Sequence, residues 1–133
     1  MIINDPQTLK QVEAAFSAYE AALIGNDVAA LDGFFSQSDL ALRYGIAENL
    51  YGFAAIRAFR AARSPAGLAR SLEKTQITTY GADFAVAATL FRRASSPGKI
   101  GRQVQSWARF DVGWRIVAAH VSVIDDPEGK VSP

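Results

Sequence analysis

The chain predicts an α+β fold in which a cone-shaped, curved sheet of antiparallel or mixed strands wraps a long N-terminal helix. Three observations carry this. Leu9, Val12, Phe16, Tyr19 and Leu23 recur at spacings of three and four, the signature of one buried helix face. From Leu68 onward come four long segments rich in Thr, Val, Ile, Phe and Trp, separated by turn-forming residues. Apolar side chains fall on both alternations of the last segment, so the sheet needs cover on each face.

The elements follow in order. Asp5-Pro6 is a helix start, a capping carboxylate before a proline at the first helical position. Gly25-Asn26 ends that helix, and Asp27 caps a short second one through Leu31, Phe34 and Phe35. Residues 40–44 read as a strand. After an excursion from Gly45 to Gly52, Phe53, Ile56 and Phe59 mark a third helix that ends near Ser64-Pro65. Segments 68–80, 83–94, 100–112 and 114–124 then form a meander of hairpins. The stretch from Asp125 to Pro133 reads as a flexible tail, with Asp125 and Asp126 solvated.

At 133 residues the chain reads as one domain, 1–133, with its core at about residues 5–124. Half of it is hydrophobic and a fifth charged, enough to bury a core. A net charge of +1 lacks the basic excess of a nucleic-acid binder. With no cysteine and one histidine, His120, disulfides, thiolate chemistry and a histidine-rich metal site are excluded, and no metal or cofactor is expected. No segment reads as a signal peptide or membrane span, so the expected location is cytoplasmic.

The densest chemistry lies at Arg43-Tyr44-Gly45 and the residues up to Gly52. Arg43 either pairs structurally with Glu48 or presents its forked guanidinium to a carboxylate. Tyr19 is either a core tyrosine or a phenol facing the same cavity, made more acidic by a nearby cation and able to donate a proton. Arg60 and Arg63 form either a solvated basic face or a second anion subsite. Period two places Gln103, Gln105, Trp107 and Arg109 on one face, and Trp114, Ile116, Ala118, His120 and Ser122 on one face of the next strand. Gln105, Trp107, His120 and Ser122 are therefore candidate pocket residues, with His120 equally readable as a core or interface histidine. Val117, Val121 and Val123 fall on the outer face, where a second subunit is the simplest cover.

Taken together, the Arg43–Gly52 stretch, the helix Ala55-Ile56-Arg57-Ala58-Phe59-Arg60-Ala61-Ala62-Arg63, Gln105-Ser106-Trp107 and the segment Gly113–Ser122 resemble the AtzH-like group. That group includes the oxalurate-catabolism protein HpxZ and lies in the SnoaL-like cone superfamily, also described as nuclear transport factor two-like or cystatin-like. The resemblance spans about residues 5–124. It implies a cone-shaped α+β barrel, a homodimer or homotetramer, and a functional link to an amidase of ureido-acid or s-triazine breakdown. It further implies decarboxylation of 1,3-dicarboxyurea to allophanate in cyanuric acid catabolism, with Tyr19 and Arg43 at the family's functional positions.

The residues agree with a small anionic dicarboxylate as ligand. Loss of carbon dioxide from an N-carboxylate needs fixed cations and a proton for the departing nitrogen, and no electron-sink cofactor. Two other readings stand beside it. One is a cone-fold isomerase or dehydratase, which requires a pocket carboxylate, for which Asp39 is the candidate. The other is an accessory or binding subunit of an amidase in an oxalurate or ureido-acid pathway.

Overall fold

A computed structural model describes residues 1–128. Helix α1 (Pro6–Ile24) begins as expected: the Asp5 carboxylate accepts from the Thr8 backbone N–H at 3.1 Å. Its buried face is Val12, Phe16, Tyr19 and Leu23. The residue that turns the chain out of the helix is Asn26, at φ 49°, and not Gly25, which stays right-handed at φ −80°. Asparagine is among the few residues other than glycine that enter that region readily. Helix α2 (Val28–Phe34) is capped by Asp27, and Leu31 on it is fully buried.

Strand β1 (Leu42–Tyr44) pairs with a second short strand, β2 (Asn49–Tyr51), in a hairpin closed by Gly45 N–H donating to Glu48 O at 2.9 Å. The sequence pattern missed β2, because three residues are too few to show an alternation. Helix α3 (Phe53–Ala62) follows. The four long strands are β3 (Ser71–Tyr80), β4 (Phe84–Arg92), β5 (Lys99–Phe110) and β6 (Gly113–Asp125). The sheet order is β2-β1-β6-β5-β4-β3, antiparallel throughout except for the parallel β1–β6 pair. The fold is therefore α+β on a mixed sheet, as expected. Helix α1 fills the concave side, with Val12, Phe16, Tyr19 and Leu23 in one apolar cluster with Trp107, Trp114 and Ile116 from β5 and β6.

One irregularity redirects a wall of the molecule. Ser106 pairs with Ala118 but Trp107 pairs with Ile116, so Val117 is an extra residue on β6. A bulge of one residue inverts the side-chain alternation beyond it. Trp114 and Ile116 point inward, but past the bulge the inward residues are Ala119 and Val121. The expected single face holding Trp114, Ile116, Ala118, His120 and Ser122 therefore does not exist, and Val121 is not on the outer face. His120 instead stacks edge-on against Tyr44, with 6.0 Å between ring centroids, and is exposed.

The tail expected from Asp125 is anchored at its start. Asp126 Oδ2 accepts from Arg92 Nη1 at 2.8 Å with a side chain only 3% exposed, and Asp125 pairs with Lys99. Asp126 is thus a buried ion-pair member and not a solvated one; the rest of that tail, residues 129–133, lies outside the described residues. Among the described residues no helix is long and apolar enough to cross a membrane.

Candidate active site: an arginine-lined cavity

Between α1, α3 and the concave sheet lies a cavity of about 420 Å³ of atom-free space, counted to its open mouth. That space includes open solvent at the mouth; the part free to a water-sized sphere is only about 30 Å³, enough for a water, so a larger ligand must widen the cavity as it enters. Tyr19 and Leu23 of α1 form one wall, Ile56, Phe59, Arg60 and Arg63 of α3 and its end another. Arg43 enters from β1, Gln103 and its cross-strand partner Val121 from β5 and β6, and Arg70 and Arg93 from the ends of the long strands.

Three of the five arginines are held by carboxylates behind the wall. Arg43 Nη1 donates to Glu48 Oε1 at 2.8 Å, and its guanidinium lies 5.5 Å from the Phe59 ring centre. Glu48 is therefore the partner that fixes Arg43. Gly45 makes this possible: a Cβ there would collide with the Glu48 carboxylate and crowd Arg43 Nη1. Arg60 Nη1 donates to Asp32 Oδ1 at 2.7 Å and sits over Phe35. Arg70 makes a two-pronged contact with Glu20, Nε to Oε2 at 2.8 Å and Nη2 to Oε1 at 2.6 Å. Its Nη2 also donates to Gln103 Oε1 at 3.0 Å.

Arg63 and Arg93 differ. Arg63 Nε and Nη2 and Arg93 Nε are buried without a hydrogen-bond partner, as is Gln103 Nε2. Burial pushes the Arg63 guanidinium below its ordinary pKa, the Arg60 charge adds to this, and Tyr19 acts in the opposite sense. Arg93 is lowered likewise, first by burial, then by Arg70 and Arg63. Each would be more at ease with an anion beside it.

The expected site residues divide as follows. Tyr19, Arg43, Arg60 and Arg63 are brought to one cavity. The two α3 arginines are not a solvated face; Arg60 is 4% exposed, and it is Arg57 that stays in solvent. Trp107 and Gln105 lie behind the cavity: Trp107 is fully buried, edge-on to Tyr19 at 6.4 Å, and its Nε1 donates to Gln105 Oε1 at 3.1 Å. They back the Tyr19 wall without lining the space. His120 and Ser122 are on the opposite face, turned there by the Val117 bulge, and Ser122 Oγ accepts from Arg102 Nε. Asp39 is exposed and outside the cavity, and none of the residues lining it is a carboxylate.

The sequence pattern missed Arg70, Arg93 and Gln103 as wall residues, and Asp32 and Glu20 as the supports of Arg60 and Arg70; the pairing of Arg43 with Glu48 was one of its two readings. One signal was available: adjacent residues on a strand face opposite ways, so of Arg92-Arg93 at the end of β4 one had to face inward.

Comparison with known proteins agrees with this architecture. A protein of unknown function from Pectobacterium atrosepticum is 56% identical over 92% of this chain and 95% of its own, with a TM-score of 0.90. A cystatin-like fold protein from Burkholderia xenovorans is 45% identical over 96% of this chain and 99% of its own, TM-score 0.92. An NTF2-like protein of unknown function from Pseudomonas putida shares the fold at 16% identity, covering 96% of this chain and 94% of its own, TM-score 0.74. No curated protein matches the chain. The AtzH-like family matches over residues 1–127, and the chain belongs to that family.

Proposed function

We propose that this chain is a cofactor-free decarboxylase of a small N-carboxylated urea, acting on 1,3-dicarboxyurea to give allophanate and carbon dioxide in cyanuric acid catabolism. The observation that carries the reading is a phenol, Tyr19, in the wall of a small cavity lined by five arginines and no carboxylate. Cations suit a substrate with carboxylate ends, and burial strengthens their hold by excluding water. Cleavage of the N–carboxylate C–N bond sends its electron pair to nitrogen and releases carbon dioxide. The nitrogen then takes one proton, which Tyr19 supplies. The resulting phenolate is stabilised by Arg63, with which Tyr19 interacts electrostatically, and regains its proton from water. Arg43, fixed by Glu48, orients the leaving carboxylate.

The absence of a lining carboxylate, among the described residues, weighs against an isomerase or dehydratase, which needs a base there. The accessory reading, a subunit that holds a carboxylated intermediate for an amidase, uses the same cavity without turnover. Tyr19→Phe separates them. Carbon dioxide release from dicarboxyurea should fall by about 10²–10⁴-fold with little change in binding. Undiminished release overturns the role of Tyr19, and binding without release by the unaltered protein favours the accessory role.

A further inference from the structure

The electrostatics of the cavity are incomplete in a specific way. Five guanidinium groups line it and three carboxylates, Glu48, Asp32 and Glu20, engage three of them. Two positive charges are left over, and the unpartnered nitrogens fall on the two arginines that lack an acid, Arg63 and Arg93. Both residues are partly exposed, but these nitrogens have given up water without gaining a partner in return.

The neighbouring amide is equally unfinished. Arg70 has only donors, so the Gln103 atom that accepts from it must be the carbonyl oxygen. That fixes the amide orientation and leaves Nε2, with two hydrogens, buried and unpartnered.

We infer that Arg63 and Arg93 are the ligand anchors of this cavity, forming with Gln103 Nε2 a receptor for a small molecule that carries two carboxylates. Arg43 and Arg60, the cations most visible in the sequence, already have carboxylate partners and serve as wall and orienting groups. Arg93 is placed by packing: its guanidinium lies 4.9 Å from the centre of the Phe91 ring, as Arg70 does at 4.6 Å. The inference rests on the cavity being the ligand site proposed above, and it does not require that the ligand be decarboxylated.

Calorimetric titration with malonate and with its half-amide, malonamate, tests it. The two probes are nearly the same size and differ by one charge. The unaltered protein should prefer malonate by about tenfold or more, the worth of one charge-assisted contact. Arg63→Gln and Arg93→Gln should each bring that ratio close to one by weakening malonate alone. Both variants should melt no lower than the unaltered protein without ligand, since each removes an uncompensated charge. A ratio near one in the unaltered protein, or a ratio unchanged in both variants, overturns the inference. Thermal shifts of the unaltered protein with the two probes measure the same preference without any variant. Collapse of the ratio in a protein that releases no carbon dioxide sinks the decarboxylase reading and leaves the receptor standing. Turnover with an undisturbed ratio does the reverse.

Discussion

Gly101 and Phe91 face each other across the β4–β5 ladder, and the Phe91 ring occupies the space that a side chain at position 101 would need. The ring is 2% exposed and carries Arg70 and Arg93 against it. A glycine thus creates the seat for an aromatic ring, and the ring in turn seats two cavity arginines.

Gly101→Ala should push that ring off its seat. Forcing an extra methyl into a packed interior costs about 1–3 kcal/mol. Urea denaturation should show the loss of stability, and malonate affinity should fall with it as Arg93 loses its support. A fully stable variant with unchanged affinity would contradict the seat.

The Glu20–Arg70 pair is the most buried of the ion pairs that hold the cavity arginines, with side chains 11% and 1% exposed. Removing one member of a buried pair leaves the other charge uncompensated, at about 3–5 kcal/mol. Glu20→Gln should therefore destabilise strongly, whereas Arg63→Gln should not. Denaturation midpoints of the two variants, measured side by side, check the contrast.

Acid should weaken the end of the β5–β6 hairpin. Asp125 has its carboxyl pKa lowered chiefly by the hydrogen bond from Lys99. A lowered folded pKa means the pair contributes above the unfolded value, near about 3.9, and is lost as pH falls through the folded one. Asp125→Asn should melt below the unaltered protein at neutral pH, with the gap closing as pH drops below the usual carboxylate range. A gap that persists in acid would assign the effect to something other than ionisation.

The convex sheet face presents Val86, Leu90, Val104 and Val117, with Val104 45% exposed near its middle. A homodimer or homotetramer covering this face is our proposal for the assembly. Light scattering on Val104→Lys should then show a smaller species than the unaltered chain. Identical masses would place any interface elsewhere.

The helix stripe of Val12, Phe16, Tyr19 and Leu23, the Asp5 cap and the four-strand meander were legible because each is a local pattern repeated many times. Helix periodicity and the strand-to-loop edge offered Tyr19 and Arg43 as neighbours but left Arg60 and Arg63 open between a solvated face and a second subsite; the cavity holds all four. Ion pairing was not legible. Whether Arg43 meets Glu48 five residues on can be guessed, but Arg70 meets Glu20 fifty residues away, and no local pattern encodes that. The side chosen by His120 and Ser122 was also hidden. One residue too many in β6 reverses the alternation, and Val117 looks like any other strand valine.

That extra residue has a consequence for how such a wall can change over generations. Val117 is the one β6 residue without a partner of its own, so loss of its codon would straighten the strand and leave Ala119 opposite Gln105 and Val121 opposite Gln103, as they are now. Val121 would stay in the cavity wall, and His120 with Ser122 would stay outside it. The bulge is thus slack in the chain, a point where one residue can be lost without altering the arginine-and-phenol chamber.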